Sequence, residues 1–146
     1  MPEPTPRRRL LDAFAANLEQ VLVAAGYWTD VGQVVTLEPS QLDPEYVDDG
    51  VAVYIERQER SPEQATARTH RLTTVCVLVK RVAQSAAEAR LDAVVDDIER
   101  ALDGRPKTWP PGFTAPQYES MEPVRAPAGA DWVGALFRYT STIPKR

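Results

Sequence analysis

The sequence predicts an α+β fold in which two helices pack on one face of a single antiparallel or mixed sheet of about four to five strands. Two segments, near residues 10–22 and 91–102, repeat apolar residues at three- and four-residue spacing, which is the period of an amphipathic helix. Alternating or continuous apolar runs between and after these segments are typical of strands. The order helix, strand, strand, long strand, helix, strand favours helices collected on one side of the sheet.

The first helix has a recognisable beginning and end. Thr5 is predicted to cap it, and Pro6 fits its first position. Its apolar stripe consists of Leu10, Leu11, Phe14, Ala15, Leu18, Val21 and Leu22. We expect Gly26 to form a left-handed cap after this helix, and Gly32 to supply a second point of backbone freedom before a strand over residues 34–37.

Three further strands follow from the pattern. A second strand is predicted over residues 51–57, and the polar stretch 58–67 reads as a hairpin connection. Residues 72–82 carry apolar or β-branched side chains on both faces, as expected of a central strand. The last strand covers residues 132–143 and ends at Pro144.

The second helix is predicted to begin with a capping box in which Ser85 is the N-cap and Glu88 reaches back to it. Its stripe consists of Leu91, Val94, Val95, Ile98, Ala101 and Leu102, and Gly104 should end it. Six prolines then make residues 105–130 an irregular segment, with room only for a short edge strand over 118–121.

Composition limits the classes of function. The 146 residues suit one domain spanning 1–146, with residues 1–5 forming a frayed N-terminus. A single cysteine excludes an internal disulfide framework and a multi-cysteine zinc site. No apolar run is long enough to span a bilayer, so no membrane partner is expected. The net charge of -4 argues against a general nucleic-acid binder.

The sequence offers little catalytic chemistry. Cys76 and His70 are the only thiol and imidazole, and they lie six residues apart on one predicted strand. That separation is about 20 Å, which excludes a Cys–His dyad. Cys76 is expected to be a small buried hydrophobe and His70 a surface residue. We therefore predict a protein that is not an enzyme and that uses no cofactor.

The acidic loop before the second strand fits a calcium-binding frame only in part. Glu45, Val47, Asp49, Gly50 and Glu56 fall at positions one, three, five, six and twelve of such a frame. The valine removes an oxygen ligand, and residues 51–55 alternate like a strand where a helix should begin. A solvated acidic loop without a metal is the better interpretation.

Two groups of residues outside the predicted core are candidates for contacts. Trp28, Trp109 and Phe113 lie on irregular segments, where exposed aromatic side chains often anchor protein partners. The alternative, that they fold back over the sheet, is equally open. Asp92, Asp96 and Asp97 lie along the second helix and predict either a solvated surface or an acidic wall that faces a polyanion.

One motif resembles a known family. The turn Gly26-Tyr27-Trp28-Thr29-Asp30-Val31-Gly32 after a leading helix resembles the tail terminator (minor tail) proteins of long-tailed phages and prophages, including those of Mu-like type. Members of that group often show Gly-Tyr-x-Thr-Asp-x-Gly at this place, and their later elements follow in the same order up to Gly104. The chain departs from them at Asp49-Gly50, where Leu-Pro is common, and over residues 105–130.

The resemblance implies a structural virion protein that forms a hexameric ring on the end of the tail tube. Such a ring would end tube polymerisation, with the tail tube protein and the head–tail connector as partners, and would reside in the virion tail after synthesis in the host bacterial cytoplasm. DNA would pass through its lumen without specific binding, along the acidic face of Asp92, Asp96 and Asp97. The alternatives are a head–tail connector or tail-completion protein, or a small ligand-binding or regulatory α+β domain.

Overall fold

The two longest strands of the sheet, each of 13 residues, are neighbours and pair along their whole length. In this computed structural model, which describes residues 3–39, 49–104 and 106–145, the strands are β1 (Val35–Thr36), β2 (Gly50–Arg60), β3 (His70–Val82), β4 (Gln117–Arg125) and β5 (Trp132–Pro144). Their spatial order is β1-β2-β3-β5-β4, with β1 parallel to β2 and all other neighbours antiparallel. The predicted mixed sheet is confirmed, and β3 is its central strand.

The strand bounds differ from the pattern: β1 is two residues shorter than predicted, and the other four strands are longer. β2 continues three residues past the predicted end, to Arg60. β4 covers nine residues where a short edge strand was expected, and it includes Pro123. Proline is tolerated there because an edge strand forms ladder hydrogen bonds along one side only.

Both helices, α1 (Pro6–Leu18) and α2 (Ala87–Glu99), pack on the same face of the sheet, as predicted. Thr5 caps α1 through its Oγ1, which accepts a hydrogen bond from the Arg8 N–H at 3.2 Å. The stripes of both helices meet alternate residues of the three long strands. The buried side chains shared between them include Leu10, Phe14, Leu18, Leu91, Val94, Ile98, Val53, Val75, Val77, Val79, Ala135, Phe137 and Tyr139.

The end of α1 and the start of α2 differ from the predictions. α1 ends at Leu18, and Gly26 (φ 95°) ends a separate 3₁₀ turn over Val23–Ala25. The capping box at α2 is wrong: the N-cap is Ala86, which forms no side-chain capping bond, and Ser85 has a left-handed backbone (φ 63°) before it. α2 continues as one π-helical turn over Arg100–Gly104, so the predicted end at Gly104 is confirmed.

Gly32 is needed for space and not for backbone freedom, which corrects the prediction. Its φ is not positive. A Cβ at this position would lie 2.6 Å from the carbonyl oxygen of Leu18, 2.7 Å from that of Val21 and 2.9 Å from that of Glu19. These distances are shorter than any normal contact, so the chain after α1 packs against itself too closely for a side chain here.

We predict that Gly32→Ala lowers the free energy of unfolding by about 1–3 kcal/mol, because backbone must move to admit the methyl group. Urea denaturation monitored by circular dichroism measures the change. Gly104→Ala is the matched control, since its new Cβ would come no closer than 3.9 Å to the nearest atom, the Cβ of Arg100. Equal destabilisation by the two variants would contradict the close-approach argument.

Candidate functional site

The turn that carries the family resemblance is fixed to α2 by one buried carboxylate. Asp97 has no exposed surface. Its Oδ1 accepts a hydrogen bond from the Trp28 N–H at 2.9 Å, and its Oδ2 accepts from both the N–H and the Oγ1–H of Thr29 at 2.7 Å. The carboxylate therefore joins the α1–β1 connection to the second helix.

Further contacts complete this turn lock, which we define as residues 26–32 with Asp97 and Arg100. Asp30 Oδ1 accepts from the Val23 N–H at 2.8 Å, and the Gly32 N–H donates to the Val21 carbonyl oxygen at 3.0 Å. The Arg100 guanidinium donates to the Gly26 carbonyl oxygen at 3.3 Å and lies 4.7 Å from the centre of the Tyr27 ring. The motif is thus a structural joint, and its residue types follow from these contacts.

The structure separates the three acidic residues predicted to share a face. Asp92 and Asp96 are exposed, but Asp97 is buried, so its place on a solvated face is wrong. The signal for this was in the sequence: Asp97 falls three residues after Val94 and four before Ala101, inside the apolar stripe. A charge at such a position requires buried partners, and here the turn supplies them.

The three aromatic candidates also separate. Trp28 is 68% exposed, while its indole Nε1–H donates to Asp96 Oδ2 at 2.9 Å, which holds the ring in place. Trp109 packs on the Phe14 ring at 5.2 Å, and Phe113 is buried beneath the guanidinium of Arg9 at 5.3 Å. The second and third therefore fold back onto the core, and Trp28 presents the large free surface.

A polar cluster lies on the face of the sheet opposite the helices. Glu56 Oε2 accepts hydrogen bonds from Cys76 Sγ and Arg138 Nε, both at 2.9 Å, and Arg138 also donates to Glu122 Oε1 at 3.1 Å. Sequence reasoning missed this cluster because its members come from four strands, and alternation within one strand does not give the register between strands.

The lone thiol is buried as predicted and is not set up as a nucleophile. Burial, followed by the hydrogen bond to Glu56, raises the pKa of Cys76 to about 12, so it stays protonated near neutral pH. The hydrogen bonds from Cys76 and Arg138 lower the pKa of the Glu56 carboxyl. His70 lies six residues away on the same continuous strand, β3, which confirms the separation expected from sequence.

The structure does not bring the positions of the calcium-binding frame together as a loop. Glu45 and Val47 lie outside the described residues, whereas Gly50 and Glu56 belong to β2. Asp49 accepts from the Val82 N–H at 3.0 Å and pairs with Arg81 at 3.3 Å and Arg90 at 3.4 Å. Within the described ranges, no cluster of three or more His, Cys, Asp or Glu side chains is placed to hold a metal ion.

Neither described helix has the length and apolar character that crossing a bilayer requires.

We predict that Asp97→Ala lowers the free energy of unfolding by about 3 kcal/mol, because it leaves the Trp28 N–H and both donors of the buried Thr29 without an acceptor. Urea denaturation measures the loss. Asp96→Ala removes a neighbouring exposed carboxylate and one hydrogen bond to an exposed indole, and we expect it to change stability by less than about 1 kcal/mol. Similar losses in the two variants would show that the turn does not depend on the buried carboxylate.

Comparison with known proteins shows a similarity of fold. No protein-family model and no curated protein sequence matches the chain. Among solved structures, the chain superimposes on a protein from the virion of a native gene transfer agent particle with a TM-score of 0.66 and 18% sequence identity. The match covers 92% of this chain and 94% of the other. At this level of identity, the two proteins share a fold.

Proposed function

We propose that the protein is a non-enzymatic structural component of a phage-like virion, and that it ends the tail tube as an oligomeric ring that presents the tail-side surface for head attachment. The observation that carries the proposal is the fold shared with a gene transfer agent virion protein over nearly the whole length of both chains. The turn at residues 26–32 supports the finer assignment, since it matches the tail terminator pattern residue by residue at its glycines, Tyr27, Thr29 and Asp30.

The described surface has two separate patches suited to the interface that a ring requires. A closed ring needs a head-to-tail interface, in which two different patches of the same chain meet. β4 lies at the edge of the sheet and exposes Tyr118, so a neighbouring subunit can pair with its free side. Trp28 provides a second patch on a different segment, held rigid by Asp96 and by the turn lock.

The phenotype of a strain that lacks the gene tests this role. If the protein ends the tube, we expect electron micrographs of mutant particles to show abnormally long tails without heads. A head–tail connector or tail-completion protein would instead leave tails of normal length that fail to join heads. Normal tails attached to normal heads would contradict any role in tail completion, and supplying the wild-type gene in trans is the control.

The acidic face of α2, now reduced to Asp92 and Asp96, is proposed to border the lumen through which DNA passes. Negative charge there would repel the phosphates and so prevent the DNA from binding. The double variant Asp92→Asn/Asp96→Asn should assemble normally, since an amide oxygen at position 96 still accepts the hydrogen bond from the Trp28 indole, but it should release DNA more slowly, as measured by dye uptake into triggered particles. Asp12→Asn, an exposed carboxylate on α1, is the control. Unchanged release in the double variant would remove the lumen assignment.

A further inference from the structure

Positive charge collects at one end of the sheet. We call this region the basic end: it is where α1 and β3 begin and where β2 and β5 finish. Its three segments, residues 3–9, 57–71 and 143–145, contain eight Arg and Lys residues against three Glu residues, although the whole chain has a net charge of -4. The excess is therefore local and is hidden in the overall composition.

Two arrangements in the basic end work against folding. Arg7, Arg8 and Arg9 occupy the first turn of α1, which contains no acidic residue, although the helix dipole favours carboxylates there. Arg60 lies directly opposite Arg71 in the β2–β3 ladder, where like charges disfavour pairing. Charges placed against both rules indicate a role other than stability.

Two of these cations, Arg7 and Arg71, line a cleft of about 390 Å³ together with Lys145. Its walls are formed by Thr5, Pro6, Arg7, Gln58, Arg71, Ile143, Pro144 and Lys145. Arg7 donates to the neutral Gln58 side chain, and Arg71 donates to the carbonyl oxygens of Ala67 at 3.2 Å and His70 at 3.0 Å. Among the residues that the structure describes, no carboxylate forms an ion pair with Arg7, Arg71 or Lys145.

We propose that the basic end binds the phosphate backbone of DNA without reading its sequence. Guanidinium groups match the spacing of phosphate oxygens. The positive surface also continues past the cleft through the exposed residues Arg8, Arg60 and Arg68, which suits an extended polyanion better than a single anionic side chain. The cleft walls carry proline and isoleucine instead of aromatic rings, so base stacking is not part of this contact.

This site is separate from the exposed α2 carboxylates, and it goes beyond the proposed tail function. DNA binding at this site is a property of the isolated chain, so it can be tested without particles. A protein with a basic end and an acidic helix face would contact the phosphates at one place and repel them at the other.

Fluorescence anisotropy with a labelled duplex of about 30 base pairs tests the proposal on the purified full chain. We expect salt-dependent binding with a Kd of about 10⁻⁴–10⁻⁶ M. Arg7→Ala/Arg71→Ala should weaken binding by about tenfold, equally for unrelated sequences. It should also lower the slope of log Kd against log salt by about two. Arg125→Ala/Lys107→Ala removes the same charge from residues outside the basic end and should weaken binding much less.

A second variant distinguishes lost DNA binding from misfolding, which is needed because Arg71 also supports the β2–β3 connection. Arg60→Ala/Arg68→Ala changes exposed side chains and should weaken DNA binding without lowering the thermal unfolding midpoint. Three results would overturn the proposal: no binding at 50 mM salt, equal losses in the basic-end and control variants, or tighter binding of a poly-glutamate peptide than of the duplex. None of them bears on the tail-length experiment, so the two proposals fail separately.

Discussion

The buried Asp97 carboxylate is the constraint on which the arrangement of this molecule depends. It accepts three hydrogen bonds from the turn that follows α1, whose donors Trp28 and Thr29 precede it in sequence by 69 and 68 positions. A buried charge is tolerated only when its oxygens are satisfied, and here the Arg100 guanidinium lies 3.9 Å away as well. Removing either side leaves the other unpaired, so the turn and α2 hold each other in position.

Two ionisable groups with raised pKa values, Tyr139 and Cys76, serve the same structural purpose. Burial raises the pKa of Tyr139, whose hydroxyl donates to Asp103 Oδ2 at 3.4 Å and so ties β5 to the turn after α2. Burial also raises the pKa of Cys76 beneath the Glu56–Arg138 pair. Both groups are neutral and enclosed near pH 7, which makes them parts of the packing and poor candidates for proton transfer or nucleophilic attack.

Periodicity predicted the element order because core burial imposes it: alternate residues of the long strands meet two apolar helix stripes. Features that depend on contacts between distant segments escaped it. Ser85 has the sequence neighbours of a capping box, but it lies in a left-handed turn that depends on how the chain passes from β3 to α2. Gly32 reads as a turn residue, yet its role comes from the carbonyl groups packed against it. Trp109 and Phe113 could not be distinguished from Trp28 until their neighbours were known.

Net charge was the least informative of the sequence observations, because it averages over surfaces that face different partners. A value of -4 argues against nucleic-acid binding only if the charges are mixed evenly. Here Arg7, Arg60 and Arg71 share one end of the sheet, whereas Asp92 and Asp96 lie on the exposed side of α2. Since salt screens charges beyond about 10 Å, a phosphate at the basic end interacts with its local surface and not with the chain total. The distribution of charge, fixed by the fold, therefore decides which anions this protein can approach.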